Sequence, residues 1–238
     1  MNRPSTRLTL QLRSRLMLLL VAGAMAALAA GCASLLPKAP APPTYYALDG
    51  ALAPARAPSH GAAPPLSTRP TLTINPPHAA AGADSAHMIY VRQAHRLDHY
   101  ANSVWVDTPA RMSAPLIVAA LERSAAWRAV VLTPSAAAGE LRLDTEILRL
   151  QHDFTRAPSR VRLTLRATLV DTSTRRVLAW REFDETAAAP SEDAYGGVVA
   201  ANVALHAVLA SLLVFCEDAT SRWQPPPPTP PPQPQPRP

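Results

Sequence analysis

From residue 140 onward the chain alternates. "ELRLDTEIL" (140–148) sets Leu141, Leu143 and Ile147 against Glu140, Arg142, Asp144 and Glu146, and "RVRLTLRATLV" (160–170) sets Val161, Leu163, Leu165, Ala167 and Leu169 against Arg160, Arg162 and Arg166. A period of two puts neighbouring side chains on opposite faces of a strand, so each of these strands has one dry and one wet face, the mark of an antiparallel sheet. "RRVLAWREF" (175–183) alternates less cleanly and follows the turn-prone "DTSTRR". Further upstream, "AHMIYVRQAHRLDHYANSVWVD" (86–107) alternates around Ile89, Val91, Val104 and Val106, which predicts two strands joined by a turn near Arg96 to Tyr100. "TYYALDG" (44–50) predicts a short entering strand, "PTLTINPP" (70–77) a strand bounded by prolines, and "WRAVVLTP" (127–134) a brief strand stopped by Pro134.

Two stretches change to a helical period. Thr108 followed by Pro109 is an N-cap with proline at the first helical position, opening a helix that lines up Met112, Leu116, Ala120 and Leu121 and ends near Trp127. Ser191, with Glu192 and Asp193 in the first turn, opens a longer one that lines up Val198, Asn202, Leu205, Leu209, Leu212 and Cys216. Strands with a dry face need a cover, and these helices supply it. The pattern predicts an α+β domain, a mostly antiparallel sheet with two main helices packed on one face.

Proline marks the edges of that domain. Eleven of the 27 prolines lie from Pro37 to Pro77 and ten in the last 14 residues, "PPPPTPPPQPQPRP", leaving five between residues 78 and 224. Residues 32–43 therefore read as a tether and 44–224 as the folded domain, with a flexible segment at 51–68. Residues 225–238 read as a disordered, polyproline II-forming tail. About 155 residues, from Arg69 to Trp223, are enough for one real core.

The start of the chain has a different character. Arg3, Arg7, Arg13 and Arg15 precede an uncharged run from Leu16 to Leu36, the charged and apolar regions of an export signal. Ala29, Ala30 and Gly31 lead into Cys32, which resembles the bacterial lipobox, where a signal (here 1–31) is removed and the new N-terminal cysteine is acylated. Leu28 stands one position before the place, Ala29, where that motif prefers leucine. At about 20 residues the run is also long enough for an uncleaved span, but a small-small-Cys end ahead of Pro37 and Pro40 gives a spanning helix nothing. Cys32 is thus expected to be a lipidation site, attached through two or three acyl chains that anchor stably.

Removing residues 1–31 changes the charge. The whole chain has 23 Lys+Arg and 17 Asp+Glu, and four of the bases precede Cys32, so the remainder carries 23 − 4 = 19 bases, a net +2. Such a balance is no nucleic-acid footprint.

Candidate chemistry is sparse. There is no GxxxxGK[ST] and no GxSxG, and eight glycines leave little for phosphate loops. His95 and His99 are four apart, a metal-binding spacing only on a helix; beside Asp98 and Tyr100 in a turn they read better as a solvated pair, and no metal or cofactor is expected. His206 reads as a satisfied interface residue and Cys216 as a buried thiol, left without an intrachain partner if Cys32 is acylated. Arg160, Arg162 and Arg166 read as a solvated face paired to acids such as Glu146. Tyr90, Tyr100 and Trp105 stand out as core or hairpin aromatics and, where exposed, as candidates for a protein interface.

Taken together, a lipobox cysteine, "YYAL" (45–48), "DSAHMIYVRQAHRLDHYANSVWVDTPARMSAPLIVAALERS" (84–124), "VRLTLRATLVDTSTRRVLAWREF" (161–183) and "AYGGVVAANVALHAVLASLL" (194–213) resemble the ABC-type transport auxiliary lipoproteins, which include the paraquat-inducible protein C-like lipoproteins. The resemblance implies a non-catalytic envelope lipoprotein without catalytic residues. Its implied partners are a periplasmic MCE-domain (mammalian cell entry) protein and the ABC permease and ATPase, which together move lipids or other hydrophobic molecules between inner and outer membranes. Ala33, rather than Asp, after the cysteine favours the periplasmic face of the outer membrane. A homo-oligomer is expected only by analogy with ring-forming MCE partners. The alternatives are a protein that carries lipid itself and a pilot-type assembly lipoprotein.

Overall fold

The computed structural model describes residues 15–23, 25, 42–49 and 65–225, in two units divided after Pro42. In the first unit, residues 15–23 are helical and exposed along their length. Cys32, the tether from 33 to 41, most of the 51–68 segment and the tail beyond Pro225 lie outside the described residues; the end of the 51–68 segment, Leu66–Thr68, is a single 3-10 turn.

The second unit is an α+β domain around one nine-stranded sheet. Its strands are β1 (Thr44–Tyr46), β2 (Thr71–Ile74), β3 (His78–Ala79), β4 (His87–Gln93), β5 (Arg96–Trp105), β6 (Ala129–Leu132), β7 (Leu141–Asp153), β8 (Arg160–Asp171) and β9 (Arg176–Ala188); the helices are α1 (Pro109–Glu122) and α2 (Ala194–Ser221). The long strand β7 organises the rest. One edge pairs antiparallel with β8 from Leu141↔Asp171 to Asp153↔Arg160, and β8 pairs antiparallel with β9. The other edge is shared by three short parallel strands: β2 at its start, β3 in its middle and β4 at its end. Beyond β2 lies β6, parallel; beyond β4 lie β5, antiparallel, and then β1, parallel.

The sheet is therefore mixed. The long ladders are antiparallel, as the alternation predicted, but five of the eight strand pairings are parallel, so "mostly antiparallel" describes the residue pairs and not the strand order. Alternation reports that a strand has one wet face and is silent about its neighbour. β2, which lies between β6 and β7, is buried at all four positions.

The inward residues of β7 and β8 are those of the hydrophobic pattern: Leu141, Leu143, Ile147, Val161, Leu163, Leu165, Ala167 and Leu169 are all buried. After Ile147 the register slips by one residue, a β-bulge that moves the buried positions from odd to even numbers, Leu150 and His152. Both helices pack on the inner face and touch each other. In α1 the buried stripe is Ala110, Ser113, Ala114, Ile117, Ala120 and Leu121, one residue on from the predicted Met112–Leu116 line, which is only half-buried. The helix ends at Glu122, five residues before Trp127, and Thr108 caps it by accepting from the Arg111 N–H. In α2, Val198, Leu205, Leu209, Leu212 and Cys216 are buried as predicted. Its N-cap is Asp193, which accepts from the Gly196 N–H at 2.7 Å, and not Ser191, whose hydroxyl donates to Asp193. The β4–β5 turn is also displaced: it falls at Ala94–His95, with His95 left-handed (φ 68°), which leaves Tyr100 inside a strand.

Candidate interaction site

Where β4, β5 and the end of β7 meet the start of α2, a polar chain crosses the apolar interior. His152, placed inward by the bulge, is 3 % exposed; its Nδ1 lies 2.9 Å from the Tyr100 hydroxyl and its Nε2 2.9 Å from the Ser159 hydroxyl. Ser159 is fully buried, and its N–H donates to the Glu192 carboxylate at 2.9 Å. Burial holds the His152 pKa below the usual imidazole range despite the opposing pull of Glu192, Asp193 and Asp153. Burial likewise pushes the Tyr100 phenol up to about 12, against the pull of Arg92. The ring is close to α2 because Gly197 has no side chain: a β-carbon there would sit 2.5 Å from His152 Nδ1.

A serine, a histidine and a tyrosine in one hydrogen-bonded line invite comparison with a nucleophile relay. Ser159 has no exposed surface, so no substrate carbonyl can approach it. The chain of bonds instead ties β5, β7 and the β7–β8 loop to the start of α2. The cavity beside it, lined by Met88, Trp105, Leu150, His152, Val161 and Gly197 among others, is about 10 Å³, the room of one water.

Outward from His152 the aromatic rings continue to the surface. Phe154 packs on His152 at 4.1 Å between ring centroids and edge-on to Tyr90 at 6.0 Å, and Tyr90 packs on Tyr100 at 4.9 Å. The exposed Arg92 guanidinium lies 5.3 Å from the Tyr90 ring and 5.4 Å from the Phe154 ring. The three aromatics singled out in the sequence thus separate. Trp105 is in the core at 4 % exposure, whereas Tyr90 and Tyr100 are half-buried and reach the surface with Phe154 and Arg92.

Arg160 pairs with Asp153, Arg162 with Asp184, and Arg166 with both Glu146 and Glu182, so the wet face is a ladder of ion pairs. Hydrogen bonding to Arg162 holds the Asp184 carboxyl below its usual range. His95 is in the turn and His99 on β5 against the His87 ring; among the described residues no cluster of metal-ligating side chains forms. His206 lies 3.4 Å from the Asp49 carbonyl, and the neighbouring Asn202 accepts from the Asp49 N–H, so together they hold the segment after β1 against α2. Cys216 is a buried free thiol, pushed up to about 12 by burial.

Sequence reasoning missed His152, Ser159, Arg92 and Phe154. Continued past Ile147, the odd-numbered alternation points Gln151 inward and His152 outward, so the bulge concealed the central residue of the cluster.

Comparison with known proteins gives the family. The crystal structure of protein XCC0632 from Xanthomonas campestris has the same fold, with a TM-score of 0.65 at 23 % identity over 75 % of this chain and 98 % of that one. A second, uncharacterised protein has a TM-score of 0.56 at 12 % identity over 74 % and 99 % of the two chains. No curated protein matches. The family model of the ABC-type transport auxiliary lipoprotein component matches residues 46–212, most of the described domain, and the chain belongs to that family.

Proposed function

We propose that this protein is a membrane-anchored periplasmic adaptor of an MCE-type ABC transport system, acting by docking and not by catalysis. In this reading it is acylated at Cys32, sits on the periplasmic face of the outer membrane, and engages the periplasmic MCE-domain protein that the permease and ATPase serve. The observation that carries the reading is how little room the His152 cluster leaves in a domain that belongs to a transport-auxiliary family. The cavity at the His152 cluster has room for one water, and the serine within hydrogen-bond reach of that histidine is wholly buried. Such a domain works through its surface, and the aromatic corner of Tyr90 and Tyr100, backed from within by Trp105, is the contact proposed for the partner.

Two experiments test the two halves. Cys32→Ala, or globomycin treatment, is expected to move the protein from the membrane to the soluble fraction; full membrane retention of an active Cys32→Ala protein would sink the anchor. Native mass spectrometry of residues 41–224 with an envelope lipid extract is expected to show an empty protein. Bound lipid at defined stoichiometry would make the protein a carrier instead.

A further inference from the structure

The proline-rich tail and the outer face of β9 have no part in the site above, and the described residues that lead into the tail finish beside the start of β9. The tail leaves the domain at a fixed point. The Trp223 indole N–H donates to Asp171 at 2.8 Å, and the Trp223 backbone N–H closes the end of α2 on the Thr220 carbonyl. Asp171 ends β8 and pairs in register with Arg176, the first residue of β9, so the tail departs from the same end of the sheet at which β9 begins.

That end of β9 is apolar and uncovered. Val177 is 57 % exposed, Leu178 36 % and Trp180 66 %; the other three tryptophans are buried or half-buried. Trp180 is opposite Thr168 on β8 and shares the outer face with Glu182 and Asp184, which are engaged by Arg166 and Arg162. Phe183, of opposite parity, packs inward on Phe215 of α2. The β8–β9 register slips between Leu169 and Val170, so Val177 pairs with Val170 of the outer face instead of following the parity of Phe183, and the large indole of Trp180 stands in water with Val177 and Leu178 exposed beside it.

We infer that the chain's own tail, residues 226–238, docks as a polyproline II segment on Val177, Leu178 and Trp180. The chemistry fits on both sides. The tail "PPPTPPPQPQPRP" has one charged residue, Arg237, so it has proline rings and little else to offer, and proline rings in a preformed extended helix bind to exposed aromatic faces at low entropic cost. Reach is ample: 13 residues at about 3.1 Å each extend about 40 Å, while Trp180 is four residues, about 13 Å, along β9 from Arg176.

The test uses the full chain in detergent micelles, labelled with 15N-tryptophan so that each of its four indoles gives one cross-peak. Trp180→Phe assigns its peak. Ending the chain at Gln224 is expected to shift the Trp180 peak while leaving Trp105 and Trp127 in place, and adding a peptide of residues 225–238 to the shortened protein is expected to return it. The Trp180 peak of the full chain is expected to be the same at all protein concentrations. An unmoved Trp180 peak on shortening overturns the docking, and a concentration-dependent one overturns docking within the chain in favour of a second copy.

Discussion

At the scale of single residues, the buried His152 is where the domain has most to lose. Replacing it by leucine takes away the ring nitrogens that bond the Tyr100 and Ser159 hydroxyls, leaving Ser159 with Glu192 alone. We expect His152→Leu to cost about 2–3 kcal/mol in urea denaturation. The pH dependence has a definite sign. Because folding lowers the His152 pKa, the unfolded chain binds a proton first; this contribution is fully present above about pH 6.5, and stability falls as the pH drops below that value toward the folded pKa. His152→Leu should lack this limb of the stability curve, so an identical slope in both proteins between pH 6.5 and 5 would assign it to other groups. Gly197 is the second such residue. Gly197→Ala pushes a methyl group into the imidazole, and a loss of about 1–3 kcal/mol is expected from overpacking. Neither residue announced itself in the sequence: the histidine was hidden by the bulge, and a glycine in the first turn of a helix carries no mark of what approaches it.

At the scale of elements, the two faces of β8 should behave very differently. Leu165 is fully buried, and Leu165→Ala is expected to cost about 2–5 kcal/mol. Arg162 makes a two-pronged contact with Asp184 but is well exposed, and Arg162→Ala should cost under about 1 kcal/mol in the same assay. The contrast follows from the alternation alone, and β8 is the element the sequence described best, with every inward position correct. β7 was legible only as far as Ile147, because one extra residue inverts the faces that follow. The pairing order was not legible at all: Leu72 and Leu141 lie side by side with 68 residues between them, and no local pattern names a partner at that distance. The α2 cap illustrates a finer limit. Ser191, Glu192 and Asp193 are all competent to cap, and tertiary contacts decide: Glu192 is drawn to Ser159, which leaves Asp193 for the helix.

At the scale of the whole molecule, α2 has the length and apolar composition of a membrane span, yet half of that apolar stretch is buried in the domain and the helix packs on β8 and β9. On the proposed reading, the attachment to the membrane therefore resides in Cys32 and not in α2. Carbonate extraction should leave the native protein in the membrane pellet and release Cys32→Ala; retention of that variant through α2 would mean that the helix can leave the sheet.

The shared edge of β7 also sets an order of assembly. The β7–β8–β9 meander joins neighbours through short turns and closes small loops, whereas β2 must find β7 across an intervening hairpin, helix and strand, a slower search with a larger entropic cost. A refolding chain thus has a finished three-stranded platform, still open along one side, before the upstream strands pair with it. Pulsed deuterium labelling during refolding should find the amides of β8 protected ahead of those of β1 and β2, and until the late strands land, the bare edge of β7 is where the chain is open to a wrong partner.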